Sequence, residues 1–422
     1  MSAFTHLSND TDQRAKNRLD SATSLTPEVP PTFDEFSGRV YFSVSAEGLG
    51  HSTRAIAMAH QFDPSRILIG SYDYVLERIR AFGLPCVEVK QEIKLIGEGG
   101  TFDVGKTILQ NQSFALQFNQ MIQDEMELMR QHGITAVVAD GRLAPMLAAS
   151  RLDIPCLVVT NQSAFYPFFN HDSPLVKWFG QSFDWAMTQW LCSAEEILIP
   201  DFPPPHTVSL YNLSSQAQVK KRTRFIGPLV DFRRPKAVEH VAQPLDLSSR
   251  GFKYRVAVSM GGHEYRRPLF EAVQAVARLM PEVAFDVLSS LSLSIHCANV
   301  FLYPNVVQSM PFFTAADCVI TQAGHSTAME LLSLGKPSVI VPDAKQMEQE
   351  NNAKRLVEMG VALMLEYDTL TPEALKQVLE QVLYKPQFAN EAARFAAMAD
   401  KLQGVRQAAN LLTHYARRLT CY

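Results

Sequence analysis

Long hydrophobic runs are missing from this sequence of 422 residues. No apolar stretch approaches the ~18 residues that a membrane-spanning helix needs. The first segment, "MSAFTHLSNDTDQRAKNRLD", lacks the ~7–15-residue apolar core of a secretory signal. Charge of one sign is missing too. Lys and Arg number 39 against 43 Asp and Glu, a net charge of −4, so the chain has no footprint of a nucleic-acid binder. Cysteine is scarce. The six are Cys86, Cys156, Cys192, Cys297, Cys318 and Cys421, none in a CxxC pair. No Cys/His cluster has ligand spacing, so no metal site is expected. Most of these thiols sit in or beside apolar runs and read as buried and reduced, which suits a cytoplasmic protein.

What is present is an ordinary globular composition, 47% hydrophobic and 19% charged, in a chain long enough for about two domains. Residues 1–37 are polar and rich in Pro, Ser and Thr, and read as a disordered tail. From Val40 onward, apolar strands alternate with helices: "VYFSVS", "RILIG", "CVEVK", "ITAVVAD" and "IPCLVVT" are strands with helical segments between them. Strands that are apolar throughout belong to a parallel sheet covered on both faces. The alternation lapses in a Pro/Ser-rich, charged stretch. It resumes with "YRVAVSM", "VAFDVLS", "DCVIT" and "PSVIVP". The fold class expected is α/β, with two Rossmann-like doubly wound domains in tandem and a cleft between them. The domains are read as 38–228 and 251–385, joined by a linker at 229–250 and followed by a closing helix at 386–422 that is expected to return to the N-terminal domain.

In such sheets ligands gather at the carboxyl ends of the strands. Three loops stand there. "VITQAGHSTAMELLSLGKPSVIVPDAKQMEQENNA" runs from a strand through the turn Gln322-Ala323-Gly324 into a helix opened by His325, Ser326 and Thr327. A helix start of this kind offers free N–H groups and a positive dipole end to an anion. Glu330, one turn further, can accept two hydroxyl hydrogen bonds, as a ribose diol offers. Gln346, Glu348 and Gln349 crowd the next strand end and suit sugar hydroxyls. The second loop, "VSMGGHEY", carries Gly261 and Gly262, which permit close backbone approach, and His263 after them. The third, "SAEGLGHSTR", sits where a dinucleotide-binding loop would. It fails that fingerprint, because Thr53 replaces the third glycine. Asp140 ends a strand of the same sheet and can approach His51. Each also has a purely structural reading: a helix cap, a tight turn or a satisfied core histidine.

The first of these segments resembles the donor-nucleotide signature of glycosyltransferases with the GT-B fold. It resembles most the group of the lipid II GlcNAc transferase and the galactolipid synthases, with a family 28-like C-terminal domain. The resemblance covers about 35 residues in order and spacing. It implies that Gly261, Gly262, Gly324, His325, Ser326 and Thr327 meet the donor diphosphate. By the same resemblance Glu330 holds the ribose, and Gln346, Glu348 and Gln349 hold the sugar, with Asn352-Ala353 closing the motif. The loop "GLGHSTR" is similar to the G-x-G-H-x-x-R loop of the same enzymes. That implies Gly48 and Gly50 bring backbone close to the acceptor, His51 is the general base, and Arg54 lies near the cleft. A histidine titrates near ~6.5 and suits deprotonation of a hydroxyl at neutral pH. Related enzymes orient such a base with an aspartate, here Asp140; Asn161 is a further acceptor contact.

The resemblance therefore implies metal-independent, inverting transfer of a hexosyl or N-acetylhexosaminyl group from a nucleotide sugar, UDP-linked, to a hydroxyl acceptor. The nucleotide sugar is a substrate, and no cofactor is expected. Two other readings stay open: a nucleotide-sugar hydrolase of the same fold, and a non-catalytic nucleotide-sugar-binding subunit. The segment 165–190 holds all three tryptophans, Trp178, Trp185 and Trp190, beside several Phe and Tyr. Its spacing of Phe179, Phe183 and Met187 suits core packing. The alternative is an apolar acceptor groove or a membrane-touching edge, which would go with a lipid-linked acceptor and a cytoplasmic protein associated peripherally with membrane.

Overall fold

The computed structural model describes residues 36–92, 97–98, 101–102, 114–165, 174–233, 242–247, 250–259, 261, 266–304, 306–344 and 346–418. These divide into two compact units. The N-terminal unit takes the described residues of 36–92, 114–231 and 402–418, and the C-terminal unit those of 97–102 and 232–401.

The N-terminal unit holds seven strands: β1 (Arg39–Val44), β2 (Ile67–Ser71), β3 (Cys86–Glu88), β4 (Ile134–Asp140), β5 (Cys156–Val159), β6 (Glu196–Ile199) and β7 (Thr223–Phe225). All pair parallel, in the order β3-β2-β1-β4-β5-β6-β7. The connecting helices are α1 (Leu49–Ala59), α2 (Asp73–Ala81), α3 (Phe114–Gln131), α4 (Ala144–Arg151), α5 (Pro174–Ser193) and α6 (Ala217–Arg222). Side chains of β1 alternate between two cores, as the period of a strand requires. Val40, Phe42 and Val44 join one cluster with Ile56, Met58 and Val75. Tyr41 joins another with Met121, Met129 and Met146. Both faces of the sheet are thus covered, which explains why its strands read as continuous apolar runs.

The C-terminal unit repeats the plan with six parallel strands: β8 (Tyr254–Ser259), β9 (Val283–Leu288), β10 (Val300–Tyr303), β11 (Cys318–Thr321), β12 (Ser338–Ile340) and β13 (Ala362–Met364). Their order is β10-β9-β8-β11-β12-β13. Its helices are α7 (Arg267–Leu279), α8 (Met310–Ala315), α9 (His325–Leu334), α10 (Met347–Glu358), α11 (Pro372–Tyr384) and α12 (Pro386–Leu402). Helix α9 stops at Gly335, whose φ of 69° lets the Lys336 N–H turn back to the Leu331 carbonyl at 2.9 Å.

Two features differ from the sequence reading. The sheets are wider, because β6, β7, β10 and β13 are added at their outer sides. The closing helix is two helices. Gln403 takes a φ of 47° and starts a second one, α13 (Gly404–Arg418). Gly404 sits so tightly on Gly227-Pro228 that a Cβ there would lie 2.5 Å from the Pro228 carbonyl oxygen. From that anchor α13 sends Ala408, Ala409, Leu412, Tyr415 and Ala416 into the N-terminal core beside Phe42 and Ile56. Among the described residues, no helix is long and apolar enough to cross a membrane.

Candidate functional site

In the N-terminal sheet the strand order reverses between β1 and β4, and Val44 pairs in register with Asp140. That is the topological switch point, where loops diverge and leave a crevice. The chain leaves β1 through Ser45, whose N–H donates to the Asp140 carbonyl at 2.9 Å. It then turns at Gly48, with φ 118° and ψ 154°, a conformation open essentially to glycine alone. A Cβ on Gly48 would meet nothing within 4 Å, so the glycine serves the turn and leaves the backbone open in front. The Tyr74 hydroxyl fixes this turn, accepting from the Gly48 N–H at 3.1 Å and donating to the Ala46 carbonyl at 2.7 Å. Helix α1 begins at Leu49, which places Gly50 and His51 in its first turn.

His51 meets the aspartate as expected. Its Nδ1 lies 2.6 Å from Asp140 Oδ1. Arg54, one turn along, donates to the same carboxylate from Nε at 2.9 Å and Nη2 at 2.5 Å, and from Nη1 to Asn161 Oδ1 at 2.9 Å. Arg54 and Asn161 are therefore tied into the site itself, both buried. Burial alone would push the Asp140 carboxyl up; the adjacent Arg54 guanidinium and His51 outweigh it and hold the group below its ordinary value. His51 Nδ1 also lies 3.0 Å from Arg54 Nη2, which only donates. In the tautomer that serves as a base, Nδ1 carries the proton and donates it to the ionised Asp140, which only accepts. The lone pair then sits on Nε2, and the His51 side chain is 26% exposed while Asp140 is 1% exposed.

Beneath lies a buried ionic cluster that the sequence did not disclose. Arg142 Nη1 donates to Glu125 at 2.7 Å and Ser43 at 2.8 Å, and Nη2 donates to the Lys90 carbonyl at 3.0 Å. Glu92 accepts from the first N–H groups of α4, Leu143 at 2.7 Å and Ala144 at 3.1 Å. Burial pushes the Glu92 carboxyl up despite Arg142 nearby. This cluster braces the strand ends under Asp140.

The C-terminal unit has the same switch point between β8 and β11. Gly261 follows β8 with φ 62°. Gly262 and His263 lie outside the described residues. After β11 comes the turn Gln322-Ala323-Gly324. Ala323 is fully buried with φ 65°, a left-handed conformation costly for a residue with a Cβ. Asn352 of α10 holds it, donating from Nδ2 to the Ala323 carbonyl at 3.1 Å. Gly324 then caps α9 with no side-chain cap bond, and a Cβ on it would meet nothing within 4 Å. The helix thus presents its first N–H groups at an open start. Within α9, His325 is buried, and Ser326, Thr327 and Glu330 are half-buried. Gln322, missed in the sequence, adds a buried Nε2 without a hydrogen-bond partner.

At the end of β12, Arg266 grips Asp343 through Nε at 3.0 Å and Nη2 at 2.5 Å. Gln349 joins them. Its Oε1 accepts from the Asp343 N–H at 2.9 Å, and its Nε2 donates to Asp343 Oδ2 at 3.1 Å. The Gln349 amide is thus engaged by protein. Gln346 caps α10, and Glu348 lies in its first turn, both half-buried. Arg266 and Asp343 left no sequence signal beyond their types. Among the described residues, no group of three or more His, Cys, Asp and Glu is placed to hold a metal ion.

Two Rossmann-like α/β units, each with polar loops at its switch point, define the GT-B glycosyltransferase architecture. Comparison with known proteins agrees. Residues 38–228 match the model described as glycosyl transferase family 1, and residues 293–412 match the glycosyltransferase family 28 C-terminal domain. An uncharacterized glycosyltransferase of Methanosarcina acetivorans is 30% identical over 383 residues, covering 89% of this chain and 97% of that one. A Bacillus cereus UDP-N-acetylglucosamine–N-acetylmuramyl-(pentapeptide) pyrophosphoryl-undecaprenol N-acetylglucosamine transferase is 30% identical over 173 residues, 38% of this chain and 46% of that one. Among solved structures, the kitacinnamycin glycosyltransferase superposes with a TM-score of 0.67 at 17% identity, covering 90% of this chain and 99% of that one. The glycosyltransferase VinC in complex with dTDP gives 0.58 at 18%, covering 90% and 100%. At such identities the solved structures speak for the fold. The chain belongs to the glycosyltransferases of this family.

Proposed function

We propose that the chain transfers a hexosyl or N-acetylhexosaminyl group from a nucleoside diphosphate sugar, UDP-linked, to an acceptor hydroxyl with inversion at the anomeric carbon. The observation that carries this reading is the 2.6 Å His51–Asp140 contact beside an open glycine turn; a base here works in the tautomer with its lone pair on Nε2. In the proposed step the acceptor O–H proton passes to His51 Nε2 and the oxygen bonds to the anomeric carbon. The bond from that carbon to the phosphate oxygen breaks, its electron pair leaving with the diphosphate. Asp140 stabilises the imidazolium that forms. The departing charge meets the N–H groups and dipole of α9 at Gly324, His325, Ser326 and Thr327. The Gln322 amide and Gly261 supply further donor contacts. Glu330 takes the ribose diol, and Gln346 and Glu348 take the sugar; Gln349 acts there through Asp343.

An acceptor with an apolar part, such as a lipid-linked one at a membrane surface, fits best. Trp178 and Trp185 of α5 are 64% and 66% exposed and stand one heptad apart on one helix face. The test follows nucleoside diphosphate release from UDP-N-acetylglucosamine, UDP-glucose and dTDP-glucose, with and without a lipid extract. Release that depends on the extract supports transfer. Full-rate release in buffer alone would replace it with hydrolysis, and tight donor binding without release would leave a binding subunit.

A further inference from the structure

The residue after Asp140 has no role in the reading above, yet it lies against the base. Gly141 has φ 73°, and a Cβ built on it would stand 2.9 Å from His51 Cε1 and 3.2 Å from Nδ1. The same Cβ would be 2.8 Å from the Ser45 Cβ. Ser45 has nowhere to retreat. It is buried, its N–H is bound to the Asp140 carbonyl at 2.9 Å, and its Oγ lies 3.1 Å from the Tyr72 hydroxyl and accepts from the Glu47 N–H at 3.1 Å. The imidazole, at the end of two rotatable bonds and partly exposed, is what would yield.

We propose that Gly141 is a positioning residue for the base: its bare Cα is the floor on which the His51 ring stands. Asp140 holds the ring by one edge and Gly141 sets its height. The left-handed turn at Gly141 also sends Arg142 back under the sheet to Glu125 and Ser43. A bulkier residue forces the ring off this floor and out of line with the Asp140 carboxylate. Displacement of a reacting group by about 1 Å can cost ~10²-fold in rate. The proposal rests on His51 being the base.

The test uses the full chain and the variants Gly141→Ala, Gly141→Asn, His51→Ala and His51→Ala/Gly141→Ala. Asn tolerates left-handed backbone better than Ala, so it keeps the turn while carrying the same Cβ. The first readout is the hydrogen-bonded Nδ1–H proton of His51 in NMR spectra of histidine-labelled protein, assigned by its absence in His51→Ala. The second is kcat and donor KM for release from the active sugar nucleotide. Gly141→Ala and Gly141→Asn are expected to lose or shift that proton and to lower kcat by ~10²-fold, with donor KM within about threefold. In the His51→Ala background the Gly141 change should lower turnover no further, although the left-handed turn and the approach to Ser45 still cost stability. Both Gly141 variants keeping the proton and the rate, with His51→Ala inactive, overturn the proposal and leave the base reading standing. If the single variants do not fold and the double variant does, the ring is what the Cβ displaces and the proposal stands; if neither folds, the need for glycine comes from the turn and the 2.8 Å approach to Ser45, and the proposal is overturned. A fully active His51→Ala overturns the base reading, and the proposal with it.

Discussion

Asp140 is the residue on which the N-terminal site hangs, because it answers two partners at once. Its carboxylate takes the His51 imidazole and both donors of an Arg54 fork, at 1% exposure. A buried pair broken from one side leaves an uncompensated charge, which costs about 3–5 kcal/mol. Arg54→Ala should therefore destabilise the protein by about that amount, read from urea unfolding. Asp140→Asn should fold, since Arg54 can still donate to its amide oxygen. It should lower turnover by roughly 10²–10⁴-fold through the wrong imidazole tautomer, with donor affinity unchanged. The pH sign follows from the depressed value of Asp140. A carboxyl held below its ordinary ~3.9 contributes stability in full above that pH and loses it as pH falls through the folded value. The stability gap between wild type and Asp140→Asn should therefore narrow below pH ~4; a gap that widened in acid would contradict the assignment. His51 and Asp140 were legible as a pair because strand ends of one sheet converge. Arg54 and Asn161 were legible only as types, since sequence does not say which strand end an arginine turns toward. Gly141, Arg266, Asp343 and Gln322 were not legible, because their meaning lies in contacts between distant segments.

At the scale of elements, the two switch-point turns solve one problem differently. The first uses Gly48, whose backbone angles require glycine and whose front is empty. Gly48→Ala meets no atom, so its cost is conformational alone, about 1–3 kcal/mol. It should appear as a lower unfolding midpoint without a rearranged His51 signal. The second uses Ala323 in a left-handed conformation, held by Asn352. Asn352→Ala should loosen the start of α9 and weaken UDP binding several-fold, and Glu330→Ala should weaken it as well; titration calorimetry with UDP reads both, and unchanged affinities would refute these roles. The central strands were legible from their continuous apolar runs. Edge strands such as β7, with its burial broken by exposed Arg224, were not, because a three-residue edge strand leaves no period to read. The break at Gln403 was hidden for a related reason. Helical periodicity continues across it, and only the packing of Gly404 on Gly227-Pro228 shows the chain must turn there.

For the whole molecule, the tandem plan was legible because alternation lapses and restarts. The return of the C-terminus to the N-terminal unit was expected from the family resemblance alone, with no signal of its own in the residues. Helix α13 completes the N-terminal core although it ends the chain, so its removal should act on one unit. A chain ending at Lys401 should lose the N-terminal calorimetric transition and all turnover while still binding UDP; loss of UDP binding would contradict the assignment of the donor to the C-terminal unit. The central claim is that the base in the N-terminal unit deprotonates an acceptor hydroxyl rather than a water. It is tested most directly by the fate of the sugar. With a donor labelled in its sugar and an extract of lipid-linked and soluble acceptors, the label should leave the nucleotide and be recovered on an acceptor, and should stay on the nucleotide with His51→Ala. Label recovered as free sugar, at the same rate with or without acceptor, would contradict the account.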